Sequence, residues 1–420
     1  MWGMVAGLIV GAILRATSTR WAGSAGSIEW LAAEVLDPVG LVFLRMLFFV
    51  VVPLIFASLA LGVVQLGKLR ALGPLAGRTF LLFAVNMAVG VAMGLMVMNA
   101  VRPGTRLQPE TRTALVEKYA PEATQAQERA AAQPRIGPRV LVEMFMPANL
   151  LRAVVDFQML PLIVFALLVG MAGTQLTELR RVGLREFLET MTELMTWIVQ
   201  YAMRLAPYAV GALLASVVIR AGLDILKALS LFVACVLLVM GVHLFGTMSV
   251  LLRLLSRRRP REFFGAVRTV LVTAFSTSSS NATLPTSIQV SREKLGVSES
   301  TAGFVLPLGA TLNMSGTALY EGCVVLFVAQ VYGIALPLAS QLLLLLLAVL
   351  SAVAVAGIPG ASLPLIVGLL SSFHLPAEGV ALIYGVDRIL DMARTTLNVA
   401  ADLVTACIVD ERQAPRPAVD

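Results

Sequence analysis

Charge is scarce in this chain. Asp, Glu, Lys and Arg make up 14% of its residues against 58% hydrophobic ones, and the mean hydropathy is +0.87. That balance fits no soluble class, so the chain reads as an integral membrane protein. Histidine is nearly missing, with only His243 and His374, which argues against metal catalysis. Cysteine is as sparse: Cys235, Cys323 and Cys407 lie in apolar segments without CxxC spacing, so neither a disulfide framework nor a zinc site has support. The apolar run Met1 to Leu14 lacks a basic leader and a small-residue cleavage site, and reads as a first helix rather than a signal peptide. What the chain has in quantity is long apolar runs. A bilayer core needs about 20 apolar residues per helix, which leaves room for about eight spans. The runs exceed the roughly 10 alternating residues of an outer-membrane strand, which excludes a porin.

Apolar segments follow at 36–66, 77–101, 141–173, 187–219, 225–255, 302–331, 335–373 and 376–409. Arginine and lysine gather in alternate connections: Lys68, Arg70 and Arg78, then Arg180, Arg181 and Arg185, then Arg253, Arg257, Arg258, Arg259 and Arg261. The positive-inside rule then puts both termini in the cytoplasm, and it accounts for the net charge of +7 without a nucleic-acid partner. The long 102–140 connection is rich in Ala, Gln, Pro and Glu and reads as a mobile extracytoplasmic loop, not a separate domain.

Two segments are not plain spans. GIPGAS at 357–362 interrupts the apolar stretch 337–373, and Gly357, Pro359 and Gly360 together break a helix. The arm that follows, Leu363 to Phe373, is too short to cross, so a re-entrant hairpin fits better. Residues 262–296 read the same way, with STSSSNATLP at 276–285 as a polar tip that must be buried in protein or line a wet cavity. A hairpin followed by a helix with a polar centre thus occurs twice, and paired interrupted segments point to a transporter binding site.

The last helix carries DRILDMARTTLNVAAD at 387–402. Asp391, Arg394, Thr395, Asn398 and Asp402 fall at i, i+3, i+4, i+7 and i+11, on one face. Intramembrane charge on such a face is costly and marks function. An ion-paired stripe that merely joins helices is the plainer reading, but five polar groups with three charges exceed what packing needs. Arg394 offers a planar fork for a carboxylate and Asp391 an acceptor for an ammonium, which together describe an acidic amino acid. Asn398 and Thr395, with Thr317 and backbone N–H groups at the hairpin tips, suit an α-carboxylate. Asp402 is left for a small cation. The run GATLNMSGT at 309–317 suggests local unwinding that frees carbonyl oxygens, which hard cations such as sodium prefer.

At these residues the chain resembles the glutamate/aspartate transporters, the dicarboxylate/amino acid:cation symporters. Four stretches carry the likeness: VVPLIFASL at 51–59, TSSSNATLP at 277–285, LPLGATLNMSGTALYEG at 306–322, and GIPGAS with DMARTTLNVAAD. They occur in family order, and the hydropathy agrees along nearly the whole chain. The resemblance implies an all-α homotrimer with eight transmembrane helices and two re-entrant hairpins per protomer. Residues 1–76 (helices one and two) and 141–222 (helices four and five) would form a static scaffold. Residues 77–101 (helix three) and 223–409 (helix six, hairpin one, helix seven, hairpin two, helix eight) would form a transport domain moving like an elevator, with 410–420 a cytoplasmic tail. Carried over by position, Arg394 would meet the substrate side-chain carboxylate, Asp391 its amino group, and Asn398 and Thr317 the α-carboxylate. Thr395, Ser278, Ser280 and the tip backbone at Ile358 and Ser362 would complete the pocket. One sodium site would use Asp402 with the carbonyls of Gly309, Asn313 and Asn398. A second would use the carbonyls of Thr311, Ala352, Val353 and Val355 around Met314. The expected location is the cytoplasmic membrane of a prokaryote, with coupling cations and no cofactor.

Departures from the family pattern bear on coupling. Where relatives have NMDGT this chain has NMSGT, so the aspartate of a third sodium site is Ser315, and that site's other partners align with Phe83, Asn86 and Met87. The third sodium is therefore expected to be absent. Glu321 matches a proton-carrying glutamate of the animal relatives. Its plain alternative is a carboxyl satisfied by a polar neighbour, but desolvation favours a protonated carboxyl and so suits a proton carrier. Some cation is needed in any case, because an inside-negative potential opposes entry of an anion by about 2.3 kcal/mol per charge per 100 mV. Other readings are a C4-dicarboxylate carrier, which generally lacks the amine-binding aspartate, and a neutral amino-acid carrier, which normally lacks the arginine. A substrate-gated anion channel has no visible ring of charges. An enzyme built on the serines at 278–280 lacks a neighbouring base.

Overall fold

A computed structural model describes residues 2–20, 25–66, 74–106, 142–143, 145–155, 159–221, 225–256, 258–355, 357, 359–376 and 379–411. Residues 107–141, nearly all of the expected extracytoplasmic loop, lie outside the described residues, as does most of the expected tail. The described residues hold helices and turns and no strand.

Helix α1 (Trp2–Arg20) is followed by α2 (Ala25–Leu31), which continues through a π-helical turn at Ala32–Leu36 into α3 (Asp37–Leu66). Then come α4 (Pro74–Val101), the short α5 (Leu150–Val155), α6 (Met159–Gly173) and α7 (Glu178–Ala221). Helix α8 (Ile225–Val242) passes through a second π-helical turn, His243–Thr247, into α9 (Met248–Leu255). The remainder is α10 (Pro260–Thr277), α11 (Ser280–Glu293), α12 (Glu299–Leu312), α13 (Ser315–Val331), α14 (Leu338–Ala352), α15 (Leu363–Ser372) and α16 (Gly379–Glu411). Among the described residues, Gly26–Val64, Leu75–Arg106, Ala228–Leu255, Glu299–Val331 and Val386–Glu411 are long and apolar enough to cross a membrane.

Packing divides these helices into two groups. In one, α7 packs against both α1 and α3, and α6 packs against α3. The other group surrounds α13 and α16: α4 lies along α13, α12 and α13 both lie against α16, and α10 and α11 pack as a pair against it. The second arm, α15, reaches α3, and the rings of Tyr384 and Phe43 of α3 meet in a T-shaped pair with centroids 5.3 Å apart. At its far end α16 ties down two loops. Glu411 accepts from Ser256 Oγ at 3.0 Å and pairs with Arg258 at 3.3 Å, while Asp410 accepts from the Ser298 N–H at 3.2 Å.

Both hairpins are present, with tips that differ from expectation. The polar stretch 276–285 is mostly helical. Helix α10 runs to Thr277, Ser278 turns the chain in the left-handed region at φ 50°, and Ser279 caps α11 by accepting from the Ala282 N–H at 3.2 Å. Serine caps a helix well because its oxygen replaces a missing backbone acceptor, so a run that looks loop-forming by composition needs only two residues to turn. The second break is wider than GIPGAS. Helix α14 ends at Ala352 and α15 starts at Leu363, with Pro364 in its first turn. The unwinding expected over 309–317 is confined to Asn313 (φ −119°, ψ 66°) and Met314 (φ −89°, ψ 60°), whereas Ser315, Gly316 and Thr317 already belong to α13.

Candidate functional site

The two hairpin tips, the α12–α13 break and the middle of α16 surround a small, partly open polar pocket. It is lined by Ser278, Ser280, Met314, Thr317, Val355, Gly357, Ala361, Ser362, Asp391, Thr395 and Asn398. Most residues expected to touch a substrate are thus gathered here: Ser278, Ser280, Thr317, Ser362, Asp391, Thr395 and Asn398. Ile358 lies outside the described residues. The tips meet at the Gly357 carbonyl, which accepts from Ser279 Oγ at 2.7 Å and from the Asn281 N–H at 3.3 Å. The hydroxyls of Ser278 and Ser362 are buried without a hydrogen-bond partner. Orphaned buried donors are costly, and here they face a cavity that a polar ligand can fill.

Arg394 is expected in this pocket but does not line it. Its side chain is 1% exposed, with Nη2 donating to Asp391 Oδ1 at 2.7 Å and lying 3.3 Å from Asp387 Oδ1. The guanidinium carbon stacks on the Tyr320 ring, 4.2 Å from its centre. Two acids and an aromatic face compensate a charge that would otherwise be very costly at this depth. Nε and Nη1 have no partner, so the fork keeps donors to offer. Gly316 explains how α13 and α16 come so close: a Cβ there would sit 2.5 Å from the Arg394 carbonyl oxygen. Asp387 and Tyr320 escaped the sequence reading. The signal for Asp387 was available, since 387, 391, 394 and 398 share one helical face. Tyr320 lies on another helix, and nothing in the local pattern marks it.

Asp402 is buried against the end of α12. Its carboxylate accepts from Asn313 Nδ2 at 2.8 Å and lies so near Gly309 that a Cβ there would be 2.3 Å from Oδ1. Asn398 accepts the Gly316 N–H at 2.7 Å and approaches Met314 Sδ at 3.3 Å. Of the residues expected around a second sodium, Met314 and Val355 line the pocket, Ala352 and Val353 end α14 beside it, and the Thr311 hydroxyl bonds back to the Leu308 carbonyl at 2.9 Å. Glu321 is fully buried in α13. One of its oxygens accepts from the Ser351 hydroxyl of α14, and the other has no partner. Among the described residues no group of three or more His, Cys, Asp or Glu side chains is placed to hold a metal.

The sodium:dicarboxylate symporter family model matches residues 1–412. The chain belongs to this family. The symporter is 30% identical over 415 residues to the proton/sodium-glutamate symport protein of Geobacillus stearothermophilus, covering 97% of this chain and 92% of that one. It is also 30% identical over 413 residues to the proton/glutamate-aspartate symporter of Escherichia coli (strain K12), covering 97% and 91%. Likeness to the C4-dicarboxylate transport protein of Deinococcus radiodurans is 30% over 383 residues, covering 90% and 83%. The family and the apolar helices together make this a multi-pass membrane protein that carries small molecules with coupling ions. Relatives named for glutamate and for C4-dicarboxylates match at similar identity, 30% and 26–30%, so overall similarity does not choose the substrate. The site must.

Proposed function

We propose that this symporter takes up acidic amino acids, glutamate or aspartate, by secondary active transport coupled to sodium, protons or both. The observation that carries the reading is the Asp391–Arg394 pair at the pocket: Asp391 lines it as an acceptor for an ammonium, and Arg394 behind it keeps unpaired N–H donors for a carboxylate. Ser278 and Ser362 supply further donors for an anion. Asp402 with the carbonyls of Gly309, Asn313 and Asn398 holds one sodium, the carbonyls of Thr311, Ala352, Val353 and Val355 around Met314 hold a second, and Glu321 carries a proton. With Ser315 in place of an aspartate, no third sodium binds.

Movement follows from the two helix groups. The group around α13 and α16, with α4 and both hairpins, slides as an elevator against a scaffold of α1 to α3 and α5 to α7, giving eight crossings in all. Three copies join through scaffold faces, where Phe49 and Tyr208 are 75% exposed in the single chain. The protein lies in the cytoplasmic membrane of a prokaryote with both termini inside.

Uptake of labelled aspartate into proteoliposomes, with sodium and pH gradients imposed separately, tests the reading. Uptake driven by neither gradient defeats it. In Glu321→Gln, uptake driven by a pH gradient alone is expected to vanish. One observation favours a second reading, a C4-dicarboxylate carrier: the chain is 30% identical to the C4-dicarboxylate transport protein of Deinococcus radiodurans. Preference for succinate over aspartate in the same vesicles would select that alternative.

A further inference from the structure

A line of hydrogen bonds crosses from α4 through the α12–α13 break to α16, and none of the roles above uses its first member, Asn86. Asn86, 3% exposed in α4, donates from Nδ2 to Ser315 Oγ at 2.9 Å. Ser315 donates to Asn313 Oδ1 at 2.9 Å, and Asn313 donates from Nδ2 to Asp402 Oδ1 at 2.8 Å. Every link runs the same way, donor to acceptor, toward the carboxylate. Aligned bonds of this kind polarise one another in a low dielectric.

The order matters because an amide has two different ends. Ser315 holds the oxygen of Asn313, so the NH2 end faces Asp402. The Asp402 carboxylate also demands the NH2 end, and the Ser315 donor anchors the opposite end of the same amide, so losing it leaves the amide oxygen unpaired and the amide freer to rotate against the carboxylate. Ser315 in turn accepts from Asn86, a donor that leaves its own hydroxyl proton to be given to the Asn313 oxygen. The carboxylate is also pressed against the Gly309 backbone, so a small rotation is felt at the position where a cation would sit.

We propose that Asn86 is a positioning residue for the coupling cation: through Ser315 and Asn313 it orients the Asp402 carboxylate and so sets the affinity for sodium, without touching the ion. This rests on the cation role of Asp402 proposed above. The competing account is a polar clasp that only joins α4 to α13.

The test titrates sodium, at constant ionic strength with choline, against two readouts: labelled-aspartate uptake in proteoliposomes, and the thermal unfolding temperature of the full-length protein in detergent. In Asn86→Ala the half-saturating sodium is expected to rise about tenfold, the scale of one lost buried hydrogen bond. The maximal rate at saturating sodium should stay within about twofold. The sodium-induced rise in unfolding temperature should move to higher sodium by the same factor. Ser315→Ala, which removes one oxygen, should do the same and carries the test if Asn86→Ala does not fold. The double variant should be no worse than the more affected single, since both break one line. An unchanged half-saturating sodium with a lower unfolding temperature would establish the clasp and overturn the proposal, as would additive effects in the double variant. A wild-type protein insensitive to sodium in both readouts would remove the cation role of Asp402, and the proposal with it.

Discussion

The helices Glu299–Val331 and Val386–Glu411 are the most buried of the five long apolar ones and also the least apolar. The spans Gly26–Val64, Leu75–Arg106 and Ala228–Leu255 are more apolar and turn more of their surface outward. In water the relation runs the other way, because burial is where apolar side chains gain. In lipid the surroundings are already apolar, so apolar side chains gain little from burial and polar ones are tolerated only inside. The contrast therefore locates function: the interior of α13 and α16 holds Glu321, Asp387, Asp391, Arg394 and Asp402, while α8 shows Leu238 at 61% exposure to the outside.

Substitutions that test this contrast rank by how deeply they cut into the inner pair. Gly316→Val should abolish aspartate uptake, because its Cβ meets the Arg394 backbone and α13 must separate from α16; retained uptake in vesicles would show that the two helices need not be so close. Arg394→Cys comes next. It removes the donors offered to the substrate side-chain carboxylate, and a hydrogen bond to a charged group contributes about 1.5–3 kcal/mol, so the Kd for aspartate by calorimetry should rise about 10- to 100-fold and neutral amino acids should be admitted. Unchanged affinity would end the carboxylate-clamp role. Asp387→Asn keeps the shape but removes one of the two acids, and should change aspartate affinity by about tenfold while leaving the substrate range as it is. The smallest effect is expected outside: Leu238→Ala should alter uptake by less than about twofold, and a larger loss would mean that this face packs against protein rather than lipid.

The hairpins show where composition and structure part. Gly357, Pro359 and Gly360 announce a break because their backbone preferences are local, and the break is there. The serine-rich stretch 276–285 looks like a long loop only until Ser279 caps α11, a bond that depends on how the next turn of helix happens to lie. Arg394 teaches the same lesson at the site. Its place on one face with Asp391, Asn398 and Asp402 follows from helical spacing. Its turn away from the pocket, onto Asp387 and the ring of Tyr320, needs a neighbour from another helix.

The order of residues alone determined that this chain lives in a membrane, where its helices are interrupted, and which side chains share the polar face of the last helix, since hydropathy and the 3.6-residue period act over short distances. Tertiary structure decided which of those groups line the cavity and which are spent on each other, that Gly309 and Gly316 are points of contact between helices, and that Asn86 lies three hydrogen bonds from Asp402. Such partners come from segments far apart in the chain, and only the packing of helices brings them within hydrogen-bonding distance.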